Sequence, residues 1–291
     1  MTAIGFVGLG QMGSRMVERL MAAGYSVTGH NRTKSKADPL VEKGMQWADS
    51  SRAVAEASDV VISMLTDPAA VRAANEGDNG IIAGLSAGKI YIDMSTVDPG
   101  LILELNEKVS AVGASMLDAP VSGSKLTLEM GQLAIMVSGD EQAYEKVKPI
   151  LLEIGPKVMY IGPAGQAMAL KLAINISIIG QILLVAEGVL LAEKYGISRD
   201  KAVEGMLNSA MASAGVKYRG PFIAQMPDEP WFSIDMAQKD IVLALQTARE
   251  LGVAMPGTSV TNDVLAVAQD MGLGEEDFAI MVRAVEEMSG K

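Results

Sequence analysis

At 291 residues the chain exceeds the roughly 250 at which a single hydrophobic core stops growing, so two packed domains are expected. It is 49% hydrophobic and 20% charged, which excludes a disordered polymer, and its net charge of −11 with dispersed Lys and Arg argues against a nucleic-acid partner. With no cysteine and a single histidine, His30, it builds no disulfide, no thiolate or histidine metal site and no Ser-His-Asp triad, so no metal is expected.

The chain enters a strand pattern at once, without the basic, apolar and small-residue succession of an export signal, and a cytoplasmic location is expected. Short apolar runs then alternate with amphipathic stretches, as in a parallel sheet with helical crossovers. The runs are Ile4 to Val7, Tyr25 to Thr28, Val60 to Leu65, Ile90 to Met94, Ser115 to Asp118, Leu133 to Val137 and Val158 to Ile161. Gln11 to Ala22 and Glu141 to Ile154 carry helical spacing between them.

After Gly162 the strand pattern stops and Ala, Leu, Met, Glu and Gln dominate, so a domain boundary is placed there, giving domains 1–162 and 163–291. Ala164 to Tyr195 reads as one long joining helix with Gly196 as its C-cap. Its most apolar part, Leu172 to Ala186, contains Asn175, Ser177 and Gln181 between Lys171 and Glu187. That part is too short and too polar for a bilayer needing about 20 apolar residues, so no membrane partner is expected. Further helices are predicted at Arg199 to Ser209, Ile234 to Leu251, Gly257 to Met271 and Glu275 to Met288, and Pro221, Pro227 and Pro230 mark the irregular stretch among them. The apolar joining helix and the helical C-terminal domain point to a homodimer or homotetramer.

Gly8-Leu9-Gly10-Gln11-Met12-Gly13 follows the first strand and opens a helix, the context in which a three-glycine fingerprint binds a dinucleotide. Three coincidental turn and packing glycines are the plainer alternative. At the end of the second strand, where an acid would grip both ribose hydroxyls of NAD, the chain has Asn31, Arg32 and Thr33. Arg32 offers a planar fork for a 2′-phosphate, with neutral hydrogen bonds from Asn31 and Thr33, which argues for NADPH while leaving NAD open. Lys34 and Lys36 read as solvated, and His30 as a loop residue bordering the cofactor. Met64 and Leu65, closing the third run, are assigned to the cofactor's side.

With Asp93-Met94-Ser95-Thr96, Asp118-Ala119-Pro120-Val121-Ser122-Gly123, Gly165 to Asn175 and Lys239-Asp240 following the fingerprint in order, essentially the whole chain resembles the β-hydroxyacid dehydrogenase family. The segment Asp118 to Gln132, with Ser124 and Lys125, is most similar to the glyoxylate and succinic semialdehyde reductase branch. The resemblance implies an α/β fold class: a Rossmann-like, doubly wound N-terminal domain and an all-helical substrate and oligomerisation domain. It implies Lys171 and Asn175 as catalytic residues, Ser122 and Gly123 in a substrate-binding loop, Thr96 beside the nicotinamide, and Lys239 near the cofactor. Ser124 stands where many members carry a second glycine, and Lys125 offers charge for a second carboxylate or is merely solvated.

The residues make chemical sense apart from the resemblance. Lys171 and Asn175 are four apart on a predicted helix and share a face. An ammonium there can protonate the alkoxide formed when hydride reaches a carbonyl. Against these stand plainer readings: a snorkelling lysine at a helix flank, a turn serine for Ser122, an N-cap before Pro99 for Thr96, and a surface helix lysine for Lys239. The expected activity is NADPH-dependent interconversion of a small carboxylic-acid aldehyde, of the glyoxylate or succinic semialdehyde type, and its hydroxy acid. The rivals are an NAD(P)-dependent 3-hydroxyisobutyrate or other β-hydroxy acid dehydrogenase, a cyclic-imine reductase, whose relatives generally lack this lysine, and a non-catalytic dinucleotide-binding module.

Overall fold

The computed structural model describes residues 2–124, 127–128 and 130–290. The chain forms two compact units, Met1–Lys171 and Leu172–Lys291. The second begins nine residues after the expected boundary, because the first turn of the long helix belongs with the sheet domain: Met168 sits in that domain's core and its N–H donates to Asp118.

In the first unit β1 (Ile4–Val7), β2 (Val27–His30), β3 (Gln46–Trp47), β4 (Val60–Ser63), β5 (Ile90–Asp93) and β6 (Ser115–Asp118) run parallel in the order β3-β2-β1-β4-β5-β6. This is the dinucleotide-binding order, with the switch in direction beside β1. The period of two sorts each strand's side chains between two cores. Ile4, Phe6, Val60, Ile62, Ile92 and Leu117 join one cluster, while Val7, Val61, Tyr91 and Met116 join the other. Coverage of both faces explains why the runs are continuously apolar. Each such fully buried side chain contributes about 1.5–3 kcal/mol. The pairing aligns Val7, His30, Ser63, Asp93 and Asp118 along the C-terminal edge.

The strands depart from expectation in several places. The second strand starts at Val27 and not at Tyr25, because the helix α1 (Gln11–Ala22) ends in a turn that uses Tyr25. Gly24 adopts φ +91°, and the Tyr25 N–H reaches back to the Leu20 carbonyl at 3.1 Å. The two-residue strands β3 and β7 (Val121–Ser122) had no expected counterpart. The sheet is also not wholly parallel, since β8 (Ala134–Gly139) runs antiparallel to β6 and β7 before β9 (Lys157–Gly162) pairs parallel with it.

Further helices of this unit include α2 (Asp38–Glu42), α3 (Ser51–Glu56), α4 (Pro68–Asn75), α5 (Ile81–Gly84), α6 (Pro99–Ala111) and α7 (Glu141–Ile154). In α1 the buried residues Gly13, Met16, Val17 and Leu20 form one stripe at helical spacing.

The long helix α8 spans Gln166–Lys194. Its 29 residues are long and apolar enough to cross a bilayer by length and composition. From Leu172 onward it is the spine of the second unit: Ile179, Ile182, Val185, Ala186 and Val189 pack in a core with Ile241, Leu265 and Phe278. Around it lie α9 (Arg199–Leu207), α10 (Ala214–Arg219), α11 (Ile234–Leu251), α12 (Pro256–Asp270) and α13 (Met281–Met288). The last helix is shorter than the expected Glu275 to Met288, because Asp277 caps a separate 3-10 turn, Phe278–Ile280, by accepting the Ala279 N–H.

Candidate active site

β1 delivers the fingerprint turn to the C-terminal edge of the sheet. Gly8 has φ +99°, and a Cβ there would stand 2.3 Å from the Met64 carbonyl oxygen. A Cβ on Gly13 would stand 2.0 Å from the Gly8 oxygen, so strand and helix approach as closely as the fingerprint requires. Gly10 differs: nothing lies within 4 Å of its would-be Cβ. Gly10 is also the N-cap of α1, and no side chain is bonded to the helix end there, as an anion cradle at a helix N-terminus requires. These features fit a dinucleotide pyrophosphate. Gln11 is exposed there, whereas Leu9 is buried and Met12 packs on the core.

Asn31 follows β2 directly, and its side chain holds the turn together. Its Oδ1 accepts the Leu9 N–H at 3.0 Å, and its Nδ2 donates to the Thr33 carbonyl at 2.8 Å. Arg32 and Thr33 are exposed beside it. His30 is the last residue of β2 and not a loop residue; its Nδ1 lies 2.9 Å from the Ala48 carbonyl and its ring 5.3 Å from that of Trp47. Lys34 is exposed, as expected, and lies over the Trp47 ring.

Met64 and Leu65 are half-buried just after β4. The Leu65 N–H donates to Ser95 Oγ at 2.9 Å, and the Ser95 hydroxyl in turn donates to Asp93 Oδ1 at 2.6 Å. Ser63 donates to the same oxygen at 2.8 Å and meets the Tyr91 hydroxyl, to which Asn75 donates. Burial pushes the Asp93 carboxyl up, the Ser95 and Ser63 bonds oppose it, and neighbouring Asp118 adds to the rise. Burial, then Asp93, raises the Tyr91 phenol. This network lay outside the expected site; its signal in the sequence was the run of polar residues at the ends of otherwise apolar strands.

Thr96 is half-buried, and α6 is capped by Asp98, whose Oδ1 accepts the Leu101 N–H, so Thr96 is not that helix's N-cap. Ser122 closes β7 and Gly123 follows with φ +143°, where a Cβ would strike Thr127 Oγ1 at 2.2 Å. Ser124 is buried and its N–H donates to Thr127 Oγ1 at 2.6 Å. Lys125 lies outside the described residues.

Lys171 is 8% exposed on α8, and Asn175 follows one turn later at 7%. Within the second unit, Asn175 Nδ2 donates to Asp240 Oδ2, and Asp240 Oδ1 lies 3.0 Å from Lys239 Nζ. Lys239 is therefore no freely solvated surface lysine; its side chain is 19% exposed and ion-paired. Asp240, 1% exposed, joins two expected site residues across 65 positions of sequence and was not itself singled out. Among the described residues no group of three or more His, Cys, Asp or Glu side chains could hold a metal ion.

A glycine turn at the edge of a sheet in this strand order, followed by a helical unit, defines a dinucleotide-dependent oxidoreductase. A family model described as the NAD binding domain of 6-phosphogluconate dehydrogenase matches residues 3–162. A second, the NAD-binding domain of NADP-dependent 3-hydroxyisobutyrate dehydrogenase, matches residues 165–285. Glyoxylate/succinic semialdehyde reductase 2 of Arabidopsis thaliana is 37% identical over 98% of this chain and 79% of its own length. The solved structure of Mycobacterium tuberculosis 3-hydroxyisobutyrate dehydrogenase with L-serine superposes with TM-score 0.87 at 28% identity, covering 98% of this chain and 99% of that one. A structure of Psf3 in complex with NADP+ and 2-OPP gives TM-score 0.87 at 26% identity, covering 97% of this chain and all of the other. The chain belongs to the β-hydroxyacid dehydrogenase family and is an NAD(P)-dependent oxidoreductase.

Proposed function

We propose that the protein is an NADPH-dependent reductase of small carboxylic-acid aldehydes of the glyoxylate or succinic semialdehyde type, with Lys171 as the proton-transfer group. The observation that carries this reading is a lysine taken almost out of solvent on an apolar helix, one turn from an asparagine whose own orientation is fixed by Asp240. A buried lysine without a chemical task is disfavoured. The reductase relative at 37% identity supports the substrate class.

In this reading the α1 N-terminus and Gly10 receive the pyrophosphate, and Arg32 receives the 2′-phosphate. Thr96, Met64 and Leu65 line the nicotinamide side, and Lys239 adds positive charge for the cofactor. Ser122, Gly123 and Ser124 hold the substrate carboxylate through hydroxyl and backbone N–H groups. When bound, the reduced cofactor supplies a hydride to the carbonyl carbon. The Lys171 ammonium donates a proton to the carbonyl oxygen, becomes a neutral amine and is reprotonated from solvent. Asn175 orients the substrate oxygen or the lysine by hydrogen bonding.

Lys171→Ala is expected to lower turnover about 10²-fold or more while NADPH still binds. Near-parental turnover would remove the lysine from the mechanism. Oxidation of 3-hydroxyisobutyrate is the second reading, favoured by the similarity to the Mycobacterium tuberculosis enzyme. Turnover with that hydroxy acid and none with either aldehyde would select it. The exposed apolar residues Leu184, Leu191 and Tyr195 along and just after α8 support a homodimer or homotetramer, and light scattering showing only monomer would contradict that.

A further inference from the structure

The N-terminus of α8 is capped in an unusual way. A helix start leaves four N–H groups without helical partners, and the residue before the helix ordinarily satisfies one with its side chain. Here that residue is Gly165, at φ +86°, which has no side chain to offer. The sheet supplies the acceptors instead. Asp118 Oδ1 accepts the Gly165 N–H at 3.0 Å, and its Oδ2 accepts the Met168 N–H at 3.0 Å. Ser138 Oγ accepts the Ala167 N–H at 2.9 Å and donates to Asp118 Oδ1 at 2.6 Å. The remaining Gln166 N–H bonds to the Pro163 carbonyl at 3.3 Å, so every orphan donor is accounted for.

Asp118 and Ser138 are fully buried and stand directly opposite each other in the antiparallel β6–β8 pair. Two adjacent strands thus fix both acceptors rigidly, and the helix turn they grip is the one immediately before Lys171, three residues after Met168. The Val97 N–H also meets Met168 Sδ at 3.5 Å, so the loop that carries Thr96 leans on the same turn.

We propose that Asp118 and Ser138 are positioning residues for proton transfer: they clamp the first turn of α8 in one register and so set where the Lys171 ammonium stands. The inference rests on the reading of Lys171 as the proton-transfer group. It gives Asp118, the first residue of the loop motif that ends at Ser122 and Gly123, a task on the lysine and not on the substrate. A carboxylate suits that task because it accepts on both oxygens at once. An asparagine in its place offers one acceptor and an NH2 group that opposes an N–H donor.

The test compares Asp118→Asn, Ser138→Ala, Ser138→Thr and Lys171→Ala in steady-state glyoxylate reduction with NADPH, with kcat and KM determined separately. A displacement of about 1 Å in a reacting group can lower rate about 10²-fold, so Asp118→Asn is expected to lose about 10- to 100-fold in kcat. KM for NADPH is expected to stay at the parental value. Ser138→Ala shows a smaller loss that Ser138→Thr, which keeps the hydroxyl, restores. Parental kcat in folded Asp118→Asn and Ser138→Ala overturns the proposal. So does a loss that tracks the folded fraction and is not restored by threonine. If Asp118→Asn does not fold, the alanine and threonine pair at Ser138 decides by the same criteria. Parental turnover in Lys171→Ala sinks the reading of the lysine itself, whereas an inactive Lys171→Ala beside undisturbed Asp118→Asn and Ser138→Ala sinks only the clamp.

Discussion

Arg32 and Asn31 are adjacent, yet their roles separate cleanly in a binding experiment. Arg32 is exposed beside the fingerprint turn, and in the proposed reading its contribution is electrostatic and directed at a phosphate that only NADPH carries. A hydrogen bond to a charged group is worth about 1.5–3 kcal/mol, and at a solvated site the lower part of that range applies. At 1.4 kcal/mol per factor of ten, Arg32→Ala weakens NADPH binding about 10- to 30-fold and leaves NADH unchanged. Asn31 accepts the N–H of Leu9, which is 1% exposed. Its replacement by alanine leaves that buried donor unpaired, a loss of about 1–3 kcal/mol shared between stability and the ordering of the turn. Asn31→Ala therefore weakens both cofactors alike. Fluorescence titrations of both variants with both cofactors at fixed salt read this directly. If Arg32→Ala weakens NADPH and NADH equally, Arg32 does not read the phosphate.

Two further predictions concern the frame. In the second unit the Arg219 guanidinium, 5% exposed and beside the rings of Phe278 and Phe222, pairs with Asp277 Oδ2 at 2.6 Å, and Asp277 also accepts the Trp231 N–H. Asp277→Ala leaves a buried charge unpaired and is expected to lower stability by about 3–5 kcal/mol in urea unfolding; a change below about 1 kcal/mol would contradict the buried pair. On the surface, hydrogen bonds from Arg72 and Lys108 hold the Glu104 carboxyl at about 2, below its ordinary 4.5. A depressed folded value means the stabilisation is complete above 4.5 and is lost as pH falls toward 2. The urea midpoint of Glu104→Gln is therefore expected below that of the parent at neutral pH and to converge on it between those values, and a gap constant with pH would refute the assignment.

Much of this was legible in the residues because local rules and tertiary packing agree. β1, α1, β6, α7 and α11 fall where apolar period and caps place them. β3 and β7, two residues each, are too short for alternation to register. The antiparallel direction of β8 leaves no trace in periodicity, since a run buried on both sides reads alike in either direction. At the site, Lys171 and Asn175 are visible because four residues make one helical turn. Asp240 bonds to Asn175 across 65 positions, and Asp118 reaches Met168 across 50, so their tasks exist only once the chain is folded. Asn31 was read as a cofactor residue from its place after β2; that its Oδ1 and Nδ2 also hold the turn, through Leu9 and Thr33, shows only in the folded chain.

The most direct test is steady-state reduction of glyoxylate and succinic semialdehyde with NADPH and with NADH, run on the parent and on Lys171→Ala, with NADPH binding measured on both. The account predicts strong parental turnover that favours NADPH, and a loss of about 10²-fold or more in the variant with cofactor binding retained. Parental-level turnover in Lys171→Ala, or no reduction of either aldehyde by the parent with either cofactor, would contradict it.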